Sequence, residues 1–455
     1  MRKITLLFLL MTSSIINSQT FTENIVDGNI LNATSTFIID LDSDGDKDLL
    51  AVSYSPGTAL VWYENNGSQS FTKHIIDNTL VGGLYVISGD FDGDADNDIA
   101  VNDYNDNKVL LFINDGSENF TKQIVDSTAT GSNYTTSGDF DGDGNIDLAT
   151  ANYGGNELAW YESNGASPTL GFTKHVIDAS FSMASSIESN DLDGDGDVDL
   201  IATSIGGNEL AWYQNDGTGV FTKQSITTTF MGAITAYGED MDGDGDIDIL
   251  AAASVGNEVA WFENNGASLT PTFTKHTIDA TTNYASFAQA ADFNNDGYLD
   301  VVASATTANQ LVWFESNGAS PPVFTKHIIP STVNAPAGIY TGDIDGDGDE
   351  DIAVTSSGNT DELLWFDNDT ITASLDNLQT VGFNYYPNPA SNELTMTANE
   401  NITSISIYNM LGQEVKTSNP SALETKIDMS KLANGTYFVK AQVGDAIGTF
   451  KVIKK

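Results

Sequence analysis

Nine-residue runs of the form Asp-x-Asp-x-Asp-Gly-x-x-Asp start at Asp40, Asp90, Asp139, Asp191, Asp240, Asp292 and Asp343, at intervals of 49 to 52 residues. Their oxygen-bearing positions are Asp40, Asp42, Asp44, Asp46 and Asp48 in the first and Asp90, Asp92, Asp94, Asp96 and Asp98 in the second. The third has Asp139, Asp141, Asp143, Asn145 and Asp147, and the fourth Asp191, Asp193, Asp195, Asp197 and Asp199. The fifth has Asp240, Asp242, Asp244, Asp246 and Asp248, the sixth Asp292, Asn294, Asp296, Tyr298 and Asp300, and the seventh Asp343, Asp345, Asp347, Asp349 and Asp351. Carboxylates at positions 1, 3, 5 and 9 surround a turn, and the main-chain carbonyl of position 7 offers a further oxygen. Ca²⁺ takes six to eight flexible oxygen ligands at about 2.3–2.6 Å, whereas Mg²⁺ demands a tighter octahedron and Zn²⁺ favours His or Cys, which these runs lack. Four or five carboxylates in nine residues repel one another unless a cation neutralises them. One Ca²⁺ per run, up to seven in all, is therefore the expected cofactor. A solvated acidic turn explains a single run equally well; seven in register favour the metal. Glycine at position 6 permits the positive φ of a loop folded around an ion. The second run has Ala95 there, and the sixth departs at Asn294, Asn295 and Tyr298, so these two are expected to bind most weakly.

The elements that must hold these runs repeat with them. An alternating run enters each acidic loop, an apolar run such as Val198-Asp199-Leu200-Ile201-Ala202 leaves it, and a Gly-Asn turn leads to Glu209-Leu210-Ala211-Trp212-Tyr213. An Asn-Asp-Gly turn and Phe221-Thr222-Lys223 complete the unit. Four short strands every fifty residues or so describe a propeller blade, and no helical period is present. The Phe-Thr strand at Phe21 precedes the first full unit and none follows Trp365-Phe366. The first strand is therefore expected to complete the seventh blade and close the ring, which removes an exposed edge. The expected fold is all-β, a seven-bladed β-propeller over residues 19–368 followed by a small C-terminal β-sandwich.

Composition agrees with an acidic repeat protein. The chain of 455 residues carries a net charge of -47, and half of its 64 acidic residues are aspartates of the seven runs. Such a charge repels nucleic acid and anionic membranes, so neither is expected as a partner. Aromatic residues at 10% and hydrophobic residues at 40% argue for a packed chain rather than a disordered one. There is no cysteine, hence no disulfide framework and no thiolate site. Arg2-Lys3, the apolar stretch Ile4–Met11 and a small, polar run to Ser18 read as a signal peptide over residues 1–18. No segment is long enough for a transmembrane span.

All six tryptophans occupy one position of the repeat (Trp62, Trp160, Trp212, Trp261, Trp313, Trp365), and the four histidines (His74, His175, His276, His327) another. Residues locked in register in this way are expected to pack between blades, and no catalytic residue is assigned. A ligand face is expected opposite the calcium loops, where Tyr85, Tyr134, Phe181, Met231, Tyr284 and Tyr340 lie in or near the connections; packing of the inner strands is the competing account of these six. For the mature ring, a monomeric binding or adhesion module for a polysaccharide or protein is expected. A polysaccharide-active enzyme, a lyase or sugar dehydratase, is the alternative. Against the enzyme stand the lack of any arginine after Arg2 and of any Gly-x-Ser-x-Gly or Walker-type loop.

The runs, with Asp191-Leu192-Asp193-Gly194-Asp195-Gly196-Asp197-Val198-Asp199 as the clearest copy, resemble the FG-GAP/VCBS repeat family, related to the integrin α-subunit propeller, over about residues 20–368. The resemblance implies calcium in the loop between the two inner strands and no single activity. After a polar linker at 369–380, residues 381–455 change composition. Tyr386-Pro387-Asn388-Pro389, Leu411-Gly412-Gln413, Asn434-Gly435-Thr436-Tyr437 and a lysine-rich end resemble the C-terminal sorting domain of the Bacteroidetes type IX secretion system. That implies the type IX machinery as a partner and an extracellular or outer-membrane-surface destination. An ordinary carbohydrate-binding or immunoglobulin-like module is the other reading of this tail.

Overall fold

The computed structural model describes residues 19–54, 60–166, 170–267, 271–358, 361–368, 378, 381–408, 414–433, 435–443 and 446–455. The expected signal peptide, all but one residue of the expected linker and the Leu411-Gly412 turn lie outside the described residues. The chain divides into two compact units, Phe21–Asn368 and one that includes Asp369–Lys455. No helix among the described residues is long and apolar enough to cross a membrane.

Phe21–Asn368 forms seven four-stranded antiparallel sheets. Burial changes from strand to strand for a simple reason. The second strand of each blade, for example Asp48–Ser53 or Asp199–Ser204, is buried at every residue because neighbouring blades cover both of its faces. It therefore reads as a continuous apolar or small-residue run. The outermost strands, such as Phe71–Asp77, are mostly exposed or half-buried. Inner strands touch their neighbours around the ring, and the last, Pro336–Gly342, touches the first, Ala33–Ile39.

Closure follows the expected scheme. The N-terminal strand Phe21–Asp27 is the outermost strand of the seventh blade, antiparallel to Glu362–Asn368, with Phe21 opposite Asn368 and Ile25 opposite Leu364. The Phe21 ring meets Phe293 and Trp313 of the sixth blade edge-on, at 5.9 and 6.2 Å. The tryptophans are core residues, at most 7% exposed. Four of them stack on the repeat histidines at 4.5–4.6 Å, and each histidine Nε2 meets a glutamate of its own blade, as His175 meets Glu162 at 2.8 Å. The histidines are thus occupied as structural residues.

Lysines on the outer strands bind several blades to the one before. Lys73 reaches Asp27 at 2.5 Å, Lys122 reaches Asp77 at 2.7 Å, Lys174 reaches Asp126 at 3.2 Å and Lys326 reaches Asp279 at 2.6 Å. Where the accepting aspartate is replaced by Thr227, Lys275 turns to Glu258 of its own blade at 2.8 Å.

The C-terminal unit is a six-stranded sheet that curls on itself. Its long strand Glu393–Tyr408 pairs through its first half with Ala422–Asp428 and through its second with Gly435–Val443. Leu394, Met396, Ile405, Val439, Phe450 and Val452 share its core. The Pro-Asn-Pro segment docks on the final strand: Asn388 Nδ2 donates to the Lys451 carbonyl at 2.9 Å and Asn388 Oδ1 accepts the Ile453 N–H at 2.9 Å.

Candidate metal centres

Each acidic run is the hairpin between the first and second strands of a blade, and the fifth shows how it is built. Asp240, at position 1, accepts the main-chain N–H groups of Gly243, Asp244 and Gly245 at 2.8, 3.1 and 3.0 Å, and Asp244 accepts that of Asp246 at 3.0 Å. These bonds curl the loop around its own carboxylates. The residue at position 2 anchors the loop below: Leu41, Phe91, Phe140, Leu192, Met241, Phe293 and Ile344 are each at most 3% exposed. At position 6 the chain needs a positive φ, which glycine supplies in six runs, whereas Ala95 takes φ +77° in the second.

The aspartate at position 9 has a double role that its spacing did not reveal. It opens the buried second strand and bridges the loop to the end of the third strand. Asp199 accepts the Leu192 N–H at 3.2 Å and the Asn215 N–H at 2.7 Å, and the same pair of bonds recurs at Asp48, Asp98, Asp147, Asp248 and Asp351. In the sixth blade Asp300 keeps only the bond from Ser316, at 2.7 Å. Asparagine at the end of the third strand also joins blades. Asn215 Nδ2 donates to the Phe140 carbonyl of the preceding loop at 2.8 Å, and Asn65, Asn264 and Asn368 reach Ile344, Leu192 and Phe293 in the same way.

Positions 1, 3 and 9 converge. Carboxylate oxygens of Asp40, Asp42 and Asp48 lie within 4.8 Å of one another, as do those of Asp139, Asp141 and Asp147, of Asp191, Asp193 and Asp199, and of Asp240, Asp242 and Asp248; in the second loop the trio is Asp90, Asp92 and Asp94. Two oxygens on one calcium ion, each about 2.4 Å from it, can be no further apart than that. Oxygens within the clusters also lack donors: Asp40 Oδ1 and Asp242 Oδ1 are buried and accept no hydrogen bond. A buried carboxylate oxygen with no donor is costly unless a cation meets it, so the donor set fits a hard divalent ion.

The electrostatics say the same. Burial, with help from neighbouring carboxylates, pushes the position-9 groups far above the ordinary 3.8: Asp48 to about 6, Asp98, Asp147, Asp199 and Asp248 to about 7, Asp300 and Asp351 to about 8. Asp242 is raised by burial and then by Asp244.

The position-7 side chains sit elsewhere. Asp46, Asp96, Asn145, Asp197, Asp246 and Tyr298 cover the glycine of their blade's outer turn, from Gly67 to Gly318, so closely that any side chain there would collide. Asp349 instead accepts a hydrogen bond from Asn295 of the sixth loop. Position 7 therefore has its main-chain carbonyl to offer an ion.

The expected ligand face needs correction. Tyr85, Tyr134 and Tyr340 belong to inner strands, not to connections, and point to the axis; Tyr85 stacks on Tyr134 at 3.5 Å and Tyr340 meets Phe37 at 4.5 Å. Phe181 is buried at 1% exposure against Tyr213, edge-on at 5.9 Å. Packing between blades claims it, so only Met231 and Tyr284, 54% and 41% exposed, remain on the surface of that face. The sequence reading missed an aromatic row there. Tyr54, Tyr104 and Tyr153, each directly after the second strand of blades one to three, follow one another at 6.3 and 6.4 Å between ring centres. A tyrosine recurring at one register position in three consecutive repeats was the available signal.

Comparison with known proteins agrees with this architecture. The model of the FG-GAP-like repeat matches at residues 40–101, 90–150, 191–251, 240–303 and 292–354, which together take in all seven loops. The secretion system C-terminal sorting domain matches at residues 384–455. No curated protein matches the chain. Among solved structures, the crystal structure of BBS1N in complex with ARL6DN is similar with a TM-score of 0.50 and 9% identity, over 78% of this chain and 97% of that one. A protein from Lactobacillus plantarum gives a TM-score of 0.48 and 11% identity, over 83% and 97%. At 9% identity the first of these speaks for the fold alone.

Proposed function

The chain belongs to the FG-GAP-like repeat family and is exported to the medium or the outer-membrane surface by its C-terminal sorting domain, and from that premise we propose that the ring is a calcium-stabilised binding module for polysaccharide. The type IX secretion machinery is its partner in export. Calcium would be held by the carboxylates of positions 1, 3 and 5, the carbonyl of position 7 and the free lone pairs of position 9, and would neutralise charges that otherwise repel. Its part is to clamp each hairpin, not to perform chemistry.

The observation that carries the ligand class is the row Tyr54, Tyr104 and Tyr153 on the face away from the metal loops. Rings in series across three blades offer successive apolar platforms to the faces of sugar units, and Tyr54 Oη already engages the neighbouring blade through Asn105 Oδ1 at 3.0 Å. The test is affinity electrophoresis of the exported protein in gels containing a panel of polysaccharides, at millimolar calcium. Retardation by at least one polysaccharide that is lost on combined Y54A, Y104A and Y153A substitution, with an unchanged melting temperature, supports the reading. Retardation indifferent to the three substitutions, or none at all, removes it.

A further inference from the structure

The repeat is conservative around its perimeter and variable at its centre. The residues three positions before each metal loop are Phe37, Ile87, Thr136, Glu188, Tyr237, Gln289 and Tyr340, one from each blade, and all seven line one cavity of about 330 Å³ on the axis. Positions that only fill a sevenfold core have no need to range from Ile87 to Glu188. Below, the axis is closed by Tyr85 stacked on Tyr134, whose hydroxyl lies 2.6 Å from that of Tyr237 across the channel. Above, the lining reaches Asn190 and Glu239, adjoining the metal loops, so the cavity occupies the end of the channel opposite the tyrosine row.

The chemistry of the wall is one-sided. Glu188 and Glu239 stand on adjacent inner strands, and no Lys, Arg or His is among the lining residues. Gln289 Oε1 is buried and accepts no hydrogen bond. The same wall carries the rings of Phe37, Tyr237 and Tyr340. Two carboxylates and an amide oxygen call for a donor-rich cation, and aromatic faces attract organic cations. Calcium, which takes six to eight oxygens, is the competing occupant of such a wall, and the calcium count of the Glu188→Gln variant separates the two. The volume is at the lower end for small-molecule sites.

We propose that this axial cavity binds a small organic ammonium ion, its N–H groups donated to Glu188, Glu239 and Gln289 and its carbon skeleton set against Phe37, Tyr237 and Tyr340. The site is separate from the tyrosine row, so the polysaccharide reading can fail without touching it.

The test is isothermal titration calorimetry of the exported protein at saturating calcium and physiological salt, with butylamine and 1,4-diaminobutane as probes and 1,4-butanediol as the neutral control. Saturable binding of at least one amine and none of the diol is expected, with Glu188→Gln and Glu239→Gln each weakening it tenfold or more while calcium uptake stays the same. Thr136→Phe, which fills the cavity and leaves its charge, should abolish amine binding and serves if a glutamate variant does not fold. Absence of amine binding, equal binding by the variants, or loss of one calcium on Glu188→Gln overturns the proposal.

Discussion

The carboxylate of Asp27 lies 2.5 Å from Lys73 Nζ and accepts the Tyr63 hydroxyl at 2.7 Å, so the end of the N-terminal strand, in the seventh blade, is fastened to the first. Burial opposes ionisation of Asp27, but the bonds from Lys73, Tyr63 and the Asn29 N–H, with the charge of Lys73, together outweigh it and hold its carboxyl below the ordinary value. The same strand buries Phe21 against Phe293. Deletion of Phe21–Asp27 should therefore expose the edge of Glu362–Asn368 and open the ring. The expected outcome is loss of the cooperative melting transition or a fall of roughly 10 °C or more, read by calorimetry, together with new proteolysis in the seventh blade. A truncated protein that melts like the full chain would contradict the closure.

Without metal, the position-9 aspartates give an unusual pH dependence. Their folded pKa values, about 6 to 8, exceed the unfolded 3.8, so the folded state binds more protons between those limits. The stability they contribute is complete below about pH 4 and is lost as pH rises through about 6 to 8. In chelator, the melting temperature should fall across that interval, set against the ordinary acid sensitivity of partly buried pairs such as Asp27 and Lys73. Calcium favours the ionised form and should remove or reverse the fall. Melting curves at pH 5 and pH 8, with calcium and with EDTA, compare the four cases; identical slopes with and without the ion would exclude metal at these groups.

Substitutions in one loop separate its two roles. Asp199→Ala leaves the Leu192 and Asn215 N–H groups without their acceptor and should cost about 2–4 kcal/mol even in chelator. Asp193→Asn should cost little in chelator, since the loop's main-chain bonds remain, but reduce calcium uptake by one ion per chain. Urea unfolding in EDTA and calcium titration of both variants check the distinction.

Ala95→Gly relieves a left-handed backbone that the other loops assign to glycine. A gain of about 1 kcal/mol is expected, with tighter calcium binding at the second loop. Calorimetric titration of the variant beside the parent chain measures both.

Much of this arrangement could be read from residues alone, because one unit written seven times shows which positions are fixed. The blade count, the closing strand and the convergence of positions such as Asp191 and Asp193 followed from spacing. What escaped were bonds whose partners are distant in sequence or common in type. Nothing local marks Asn215 as the donor to Phe140 of another blade, and an aspartate at position 9 looks like any ligand until its two main-chain donors are seen. Tyr85 and Tyr340 fit a connection or an inner strand equally in the sequence, because a large residue near a strand start reads alike in a turn or facing an axis. Glu188 and Glu239 carry no such signal, because neither recurs at its position in the other blades.

Pairing Phe21 with Asn368 also means that the linear order of the gene is not the order of the ring. A chain cut in any one blade-to-blade connection, with Asn368 joined through a short spacer to the strand that now follows it, retains the same set of neighbours. Circular permutation by whole blades should thus be tolerated, while the last rung of the assembly waits for the final strand to be delivered. During export, the ring becomes one object only when both ends of the propeller segment stand on the same side of the membrane.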